Sequence, residues 1–403
     1  MGSFSIIKKE RIKFGIAAKI GILLAIFSIF ASGLTGYFTF NTTRHILSKK
    51  ATDSMIESSR ILGQRFSSMG HKVANDARFF ARTKLVQIAA SSEQDAVSAR
   101  IALSDQFKSL LLLHPEFFQI RLISAHQYGI ELVRVDRDDD KLVIINGKQL
   151  QEKQHFPYVY ETLKLPQGQA FFSKIFINRE TGAHAGLGRP TLQVATPVVG
   201  IDGMTQGVLV INVDLNQMFN ILKSDLPKEY QLYLADQTGD YLIHPDPSKT
   251  FGFEYGRQFL AQDTFKPIAK LINSEAKSVT IHQSDSAGKT DVIGGFTQIP
   301  FGELTNNRFI IIGLNVPLNL VLAETHALVQ NTSAVVIGFS LLAVLLSMLV
   351  AFIFVRPLKN LVSSVQLFSD KQQRSALPTY SQDELGGRFI ATTNCPALEN
   401  LHS

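Results

Sequence analysis

Apolar residues recur along this chain in three rhythms, and each predicts a different kind of element. The first is an unbroken run. Ala334 to Val355 has 22 residues without a charge, enough for a tilted helix to cross the roughly 30 Å hydrocarbon layer of a bilayer. Ile20 to Phe40 is also uncharged. There the small residues Ala31-Ser32-Gly33 follow 11 apolar positions, Ile20 to Phe30, an order shared with cleavable signal peptides. Apolar residues continue at Leu34, Tyr37, Phe38 and Phe40, so the expectation is an uncleaved anchor. Residues 20–40 and 334–355 are the two expected spans.

The second rhythm is helical. From Leu47, small or apolar residues fall at Ala51, Met55, Ser58, Leu62, Phe66, Met69, Val73, Ala77 and Phe80, an average step of 3.67 residues. That is close to the period of a straight α-helix. Residues 41–114 therefore read as a stalk and long helix. Its membrane-near part is expected to project and pair with a second copy, and its later part to pack on a sheet.

The third rhythm is that of strands. FFQIRLIS and IELVRVDR flank a turn ending in Gly129, and YQLYLAD and YLIHPD flank a turn ending in Gly239. Superposing the two glycines, at an offset of 110, gives six identities in 17 positions: Leu122, Ala125, Gln127, Gly129, Leu132 and Asp136 with Leu232, Ala235, Gln237, Gly239, Leu242 and Asp246. Hairpins with glycine turns do converge in sequence, but the downstream strands repeat as well. TLQVATPVVG and GVLVINVDL close the first unit, and TDVIGGFTQI and RFIIIGLNV close the second. The fold class expected is α+β: two tandem modules of about five antiparallel strands, residues 115–225 and 226–320, carried on one long helix.

Charge sets the orientation. Lys8, Lys9, Arg11, Lys13 and Lys19 precede the first run, and Arg356, Lys359, Lys371 and Arg374 follow the second. Positive flanks stay cytoplasmic. Residues 1–19 and both termini are then cytoplasmic, and about 41–333 are periplasmic in a two-pass protein of a bacterial inner membrane. The net charge of +6 owes much to these flanks and is poor evidence for nucleic acid, so no nucleic-acid partner is expected. The single cysteine, Cys395, leaves the exported part without a possible disulfide, so a hydrophobic core must hold it.

Four segments carry a family likeness: RLISAHQYGIELVRVDR, FFSKIFINRETG, LQVATPVVGIDGMTQGVLVINVDL and YLADQTGDYLIHPDP. Over roughly residues 45–320 the chain resembles the double Cache (dCache, PAS-like) domain of bacterial transmembrane receptors. The resemblance implies that the membrane-distal module holds a small-molecule ligand and that the proximal one passes strain to the second span. RPLKNLVSSVQLFSDKQQRSALPTYSQDELG resembles a HAMP linker, expected as a partial coiled coil at 356–390. Arg356 and Pro357 leave the span, and Pro357 suits a helix's first turn. Leu358, Leu361, Val365 and Phe368 form a heptad seam, and Asp383-Glu384 opens the second helix. Such a seam cannot be buried by one chain, so a parallel homodimer is implied. Pro396 in the atypical tail 391–403 interrupts the second helix, and no output domain follows. The expectation is a truncated or frame-shifted product or a fragment of a longer receptor.

Candidate chemistry is sparse. The ten histidines form no H-E-x-x-H motif, and neither a phosphate-binding loop nor a nucleophile elbow occurs. His244-Pro245-Asp246-Pro247 reads as a rigid turn and Asp138-Asp139-Asp140 as a solvated loop. No catalytic residue, metal ligand or cofactor is expected. For binding, the distal unit has Arg121, Glu131 and Arg134 where the proximal has Gln231, Tyr241 and His244. Arg179 adds a third distal guanidinium, and such groups suit carboxylates and phosphates. Tyr158 and Phe172, with Phe171, are candidate pocket walls. The same arginines can instead face solvent or pair with Glu131 and Asp136 across the hairpin. The function expected is ligand sensing with relay to the cytoplasm, as the input half of a histidine kinase. A chemoreceptor or diguanylate cyclase is the alternative output, and a membrane-tethered binding protein without output is the alternative of another class.

Overall fold

The computed structural model describes residues 16–139, 141–179, 188–284, 291–303, 308–323, 333–349 and 353. The chain divides into two compact units, residues 45–324 and the pair of segments 1–44 and 325–403. In the second of these, α1 begins at Ile16 and exposes Ile22, Leu23, Ile26, Phe27, Ile29 and Phe30. The helix is long and apolar enough here to cross a membrane. Of the expected second span, Ser333–Leu349 is described, as one apolar helix. The relay positions Arg356, Pro357, Leu358, Leu361, Val365, Phe368, Asp383 and Glu384 lie outside the described residues.

Within residues 45–324, α1 continues to Ala81. The predicted stripe is the buried one: Met55, Leu62, Phe66, Val73 and Ala77 all enter the core. Packing starts earlier than a free stalk would allow. Thr52 and Ser59 are already buried, and Ser59 Oγ donates to Gly295 O at 3.0 Å. After α1 come α2 (Lys84–Ala90), capped by the Thr83 hydroxyl, and α3 (Ala96–Leu113).

The distal sheet contains β1 (Phe117–Ser124), β2 (Glu131–Asp138), β3 (Lys141–Ile145), the two-residue strands β4 (Phe171–Phe172) and β5 (Phe176–Ile177), β6 (Pro190–Val199) and β7 (Thr205–Asp214). Its order is β3-β2-β1-β7-β6-β4, with β5 also on β6. The helix α5 (Leu215–Ser224), capped by Asp214, leads to the proximal sheet. That sheet holds β8 (Gln231–Ala235), β9 (Tyr241–Ile243), β10 (Ser278–Ser284), β11 (Asp291–Pro300) and β12 (Phe309–Pro317), in the order β10-β11-β12-β8-β9. Every pairing is antiparallel. The two sheets repeat one topology, a hairpin whose first strand is flanked by the last strand of its own module. The α+β class with two sheet modules on a long helix is thus present.

The repeat has a different register from the one the glycines suggest. Leu122 pairs with Val133 as Leu234 pairs with Ile243, and each hairpin has its bulge at the next residue. The offset is therefore 112 on the first strand and 110 on the second. The distal turn accounts for the difference. Its Ser124 N to Ile130 O bond closes over five residues, whereas Asp236 N to Asp240 O closes over three. Gln127 and Tyr128 occupy the left-handed region in the longer turn. Arg121 thus corresponds to Tyr233 rather than Gln231, whereas Glu131 and Arg134 keep Tyr241 and His244.

Alternate residues of each strand face opposite sides, and both sides are covered. One side of each sheet joins a continuous apolar core with α1. The modules meet on this helix, where Phe66 stacks on Phe301 at 5.4 Å and Phe301 meets Phe172 edge-on at 5.9 Å. Gly70 leaves room there, since a Cβ would lie 3.3 Å from Phe172 and 3.4 Å from Phe301. The other side of the proximal sheet is aromatic, with Tyr233, Tyr241, Phe265 and Phe296 buried together. The corresponding side of the distal sheet is partly charged, and the candidate site lies beside it.

Candidate ligand site

On the outer side of the distal sheet, Gln119 and Arg121 of β1 alternate with inward Ile120 and Leu122, and Glu131, Arg134 and Asp136 lie beside them on β2. All five polar residues are buried, Arg121 and Asp136 at 0% exposure. A charge so far from water must be paired. Arg134 donates to Asp136 at 2.7 Å and to Glu131 at 3.4 Å, and Arg121 reaches the other Glu131 oxygen at 3.5 Å. Gln119 donates to Asp136 at 2.9 Å, Asn212 to Gln119 at 2.9 Å, and Arg121 to Asn212 at 3.3 Å. Burial lowers the proton affinity of Arg134. Its bonds to Asp136 and the charges of Asp136 and Glu131 more than offset this, and its pKa stands above the ordinary guanidinium value.

This network holds the loop layer above it. Glu131 accepts the Gln151 N–H at 3.1 Å, and the Arg121 guanidinium lies 4.8 Å from the centroid of the Tyr158 ring. Tyr158 belongs to the short helix α4 (Pro157–Tyr160), whose Val159 packs with Val208 and Val210 on the sheet. The loop before it bends back because Lys153 N donates to Gly129 O. A Cβ on Gly129 would fall 2.7 Å from Gln154 N, and its φ is +66°, so this close approach requires glycine.

Beside that layer opens a cleft of about 1160 Å³, ample for a metabolite-sized ligand. Its distal walls carry five aromatic rings, those of Phe156, Tyr158, Phe171, Phe172 and Phe176. Its other wall comes from the proximal module, through Gln237, Glu254 and Arg308. A second cavity of about 390 Å³ shares Lys174, Phe176, Gln237, Glu254 and Arg308 with it.

Polar contacts join the two walls. Glu254 accepts the Ile177 N–H at 3.3 Å and pairs with Arg179 at 3.6 Å, while Arg179 lies over Tyr255. Arg308 donates to Phe172 O and, at 2.9 Å, to Ser173 O, both on or beside β4. Burial pulls the Arg308 pKa below its ordinary value, and the charge of Asp236, which lines the second cavity with it, opposes this.

The residues singled out from sequence thus separate. Tyr158, Phe172 and Arg179 line the cleft; Arg121 stands behind Tyr158, and Glu131 and Arg134 are sealed beneath. Sequence reading missed Glu254 and Arg308, which come from 75 and more residues away and carry no local motif. The aromatic segment Phe171–Phe176 was the one legible signal. His244-Pro245-Asp246-Pro247 forms a turn in which Asp246 accepts the N–H and hydroxyl of Ser248. Among the described residues, no group of three or more His, Cys, Asp or Glu could hold a metal ion.

The family described as bacterial histidine kinase, sensor domain, matches residues 72–262. No curated protein sequence matches the chain. Several solved structures share its fold. A domain of a protein assigned to the sensory box/GGDEF family from Vibrio parahaemolyticus is 17% identical with a TM-score of 0.55, covering 68% of this chain and 99% of that one. The extracellular domain of vpHK1S-Z8, assigned as a histidine kinase, is also 17% identical with a TM-score of 0.55, covering 71% and 96%. The periplasmic sensory domain of the Campylobacter jejuni chemoreceptor Tlp1 is 12% identical with a TM-score of 0.51, covering 68% and 98%. Residues 72–262 thus match the sensor-domain family of bacterial histidine kinases, and the chain shares its fold with these solved sensory domains.

Proposed function

We propose that this protein is a transmembrane receptor whose periplasmic body binds a small organic molecule in the cleft described above. It passes the event through the second apolar segment to the linker that resembles HAMP. The observation that carries this reading is the make-up of the cleft: aromatic walls from one module, closed by Glu254 and Arg308 of the next. A ligand seated there touches both modules at once, and its differential affinity for two module arrangements is the only means by which it can shift them. In this reading Tyr158, Phe172 and Arg179 contact the ligand, and Arg121, Glu131 and Arg134 hold Tyr158 and the loop at 151–156 in place. Both termini are cytoplasmic, and a parallel homodimer buries the seam of Leu358, Leu361, Val365 and Phe368. The output is a histidine kinase, with a chemoreceptor or diguanylate cyclase as the alternative.

The test is a thermal-shift screen of the purified chain in detergent against amino acids, organic acids and neutral metabolites. Binding at about 100 times Kd should add roughly 2.7 kcal/mol and raise the melting temperature by several degrees. Phe171→Ala should weaken the response. A library without a single stabilising compound defeats the reading.

A further inference from the structure

Arg308 is the feature of the cleft that the sensor reading leaves unexplained. It immediately precedes the last strand of the proximal module, yet both of its side-chain hydrogen bonds end on the distal one, at the carbonyls of Phe172 and Ser173. Among the described residues no carboxylate lies within ion-pair distance of it. The contrast with its neighbours is sharp. Arg179 has Glu254, and the deeply buried Arg121 and Arg134 have Glu131 and Asp136. A guanidinium has five N–H donors in a planar fork, and two carbonyl dipoles use only two of them.

The surroundings supply what such a group lacks in counter-charge only in part. Lys153, Lys174, Arg179 and Arg308 line the cleft against two carboxylates, Glu152 and Glu254, and Glu254 is engaged by Arg179 and the Ile177 N–H. The same lining includes the five aromatic rings. A charge-assisted, bidentate bond to a carboxylate is about twice as strong as a bond between neutral groups. It gains further where water is partly excluded.

We propose that Arg308 is the anion-recognition residue of the cleft, and that the ligand is an organic carboxylate with an aromatic or aliphatic body lying against the phenylalanine walls. This rests on the cleft being the sensory site. A carboxylate takes the donors that the carbonyls of Phe172 and Ser173 leave open on the same guanidinium, so recognition acts directly on the group by which the proximal module grips β4.

The experiment uses the full chain in nanodiscs. The probes are phenylacetate, benzoate, hexanoate and glutarate, each against its primary amide. The chain contains no tryptophan, so Phe176→Trp places a single emitter in the wall for titration, with melting of the unaltered chain as the second readout. At least one acid at about 10 mM should raise the melting temperature by several degrees and bind roughly tenfold or more tighter than its amide. Arg308→Gln should remove that preference, and Arg308→Lys should weaken acid binding while keeping it above the amide. The proposal is overturned if amides bind as tightly as acids, if Arg308→Gln keeps the preference, or if no acid binds. Stabilisation by neutral compounds alone would overturn the role of Arg308 and leave the cleft as the sensory site; no stabilisation by any compound would remove both.

Discussion

Buried charge on the distal sheet is tolerable only because every member has a partner. Removing Asp136 leaves Arg134 with Glu131 at 3.4 Å and Gln119 without its acceptor. Asp136→Ala should therefore cost about 3–5 kcal/mol, read from urea unfolding followed by circular dichroism. A loss below about 1 kcal/mol would mean that water reaches the pair. The corresponding side of the proximal sheet is set differently. Burial among aromatic rings pushes the Tyr241 phenol up to about 12, against about 10 in an unfolded chain. The native state favours the neutral phenol, so this contribution is complete below pH 10 and is lost as pH rises from about 10 to 12. It amounts to about 2–3 kcal/mol over that window. Tyr241→Phe should flatten the alkaline limb of the stability profile, and an unchanged slope would contradict the burial argument.

At the scale of elements, α1 and β11 approach more closely than side chains permit. A Cβ on Gly295 would lie 2.7 Å from Ile56 N and 3.0 Å from Thr52 O, both backbone atoms that cannot step aside. Gly295→Ala should push the helix from the sheet and destabilise by about 1–3 kcal/mol, measured as a lower melting temperature of the chain in detergent. An unchanged melting temperature would show that helix and sheet can separate freely there. The helix itself was legible in its 3.67-residue step, and Met55, Leu62, Phe66, Val73 and Ala77 are buried as that step requires. The hairpins were legible too, though not their register. A two-residue difference in the turns at Gly129 and Gly239 shifts one strand against the other, and identities at Leu122, Ala125 and Gln127 pointed to the wrong partners.

At the scale of the whole molecule, the chain's own patterns determined the apolar N-terminal segment, the long helix, the α+β class, and two repeated sheets built without cysteine. Each is local or periodic, written in residues a few positions apart. The arginine pattern was visible as well, but its meaning was not. Whether Arg121 and Arg134 met solvent, a ligand or Glu131 and Asp136 depended on how completely the loop at 151–160 covers the sheet, and it seals them. The cleft belongs to tertiary structure alone. Its walls join Phe172 to Arg308, 136 residues apart, and neither residue shows in sequence that it will face the other. Hydrophobic period dictates which side of an element is buried; only the packing of two modules on one helix decides which polar groups remain to face each other across the gap.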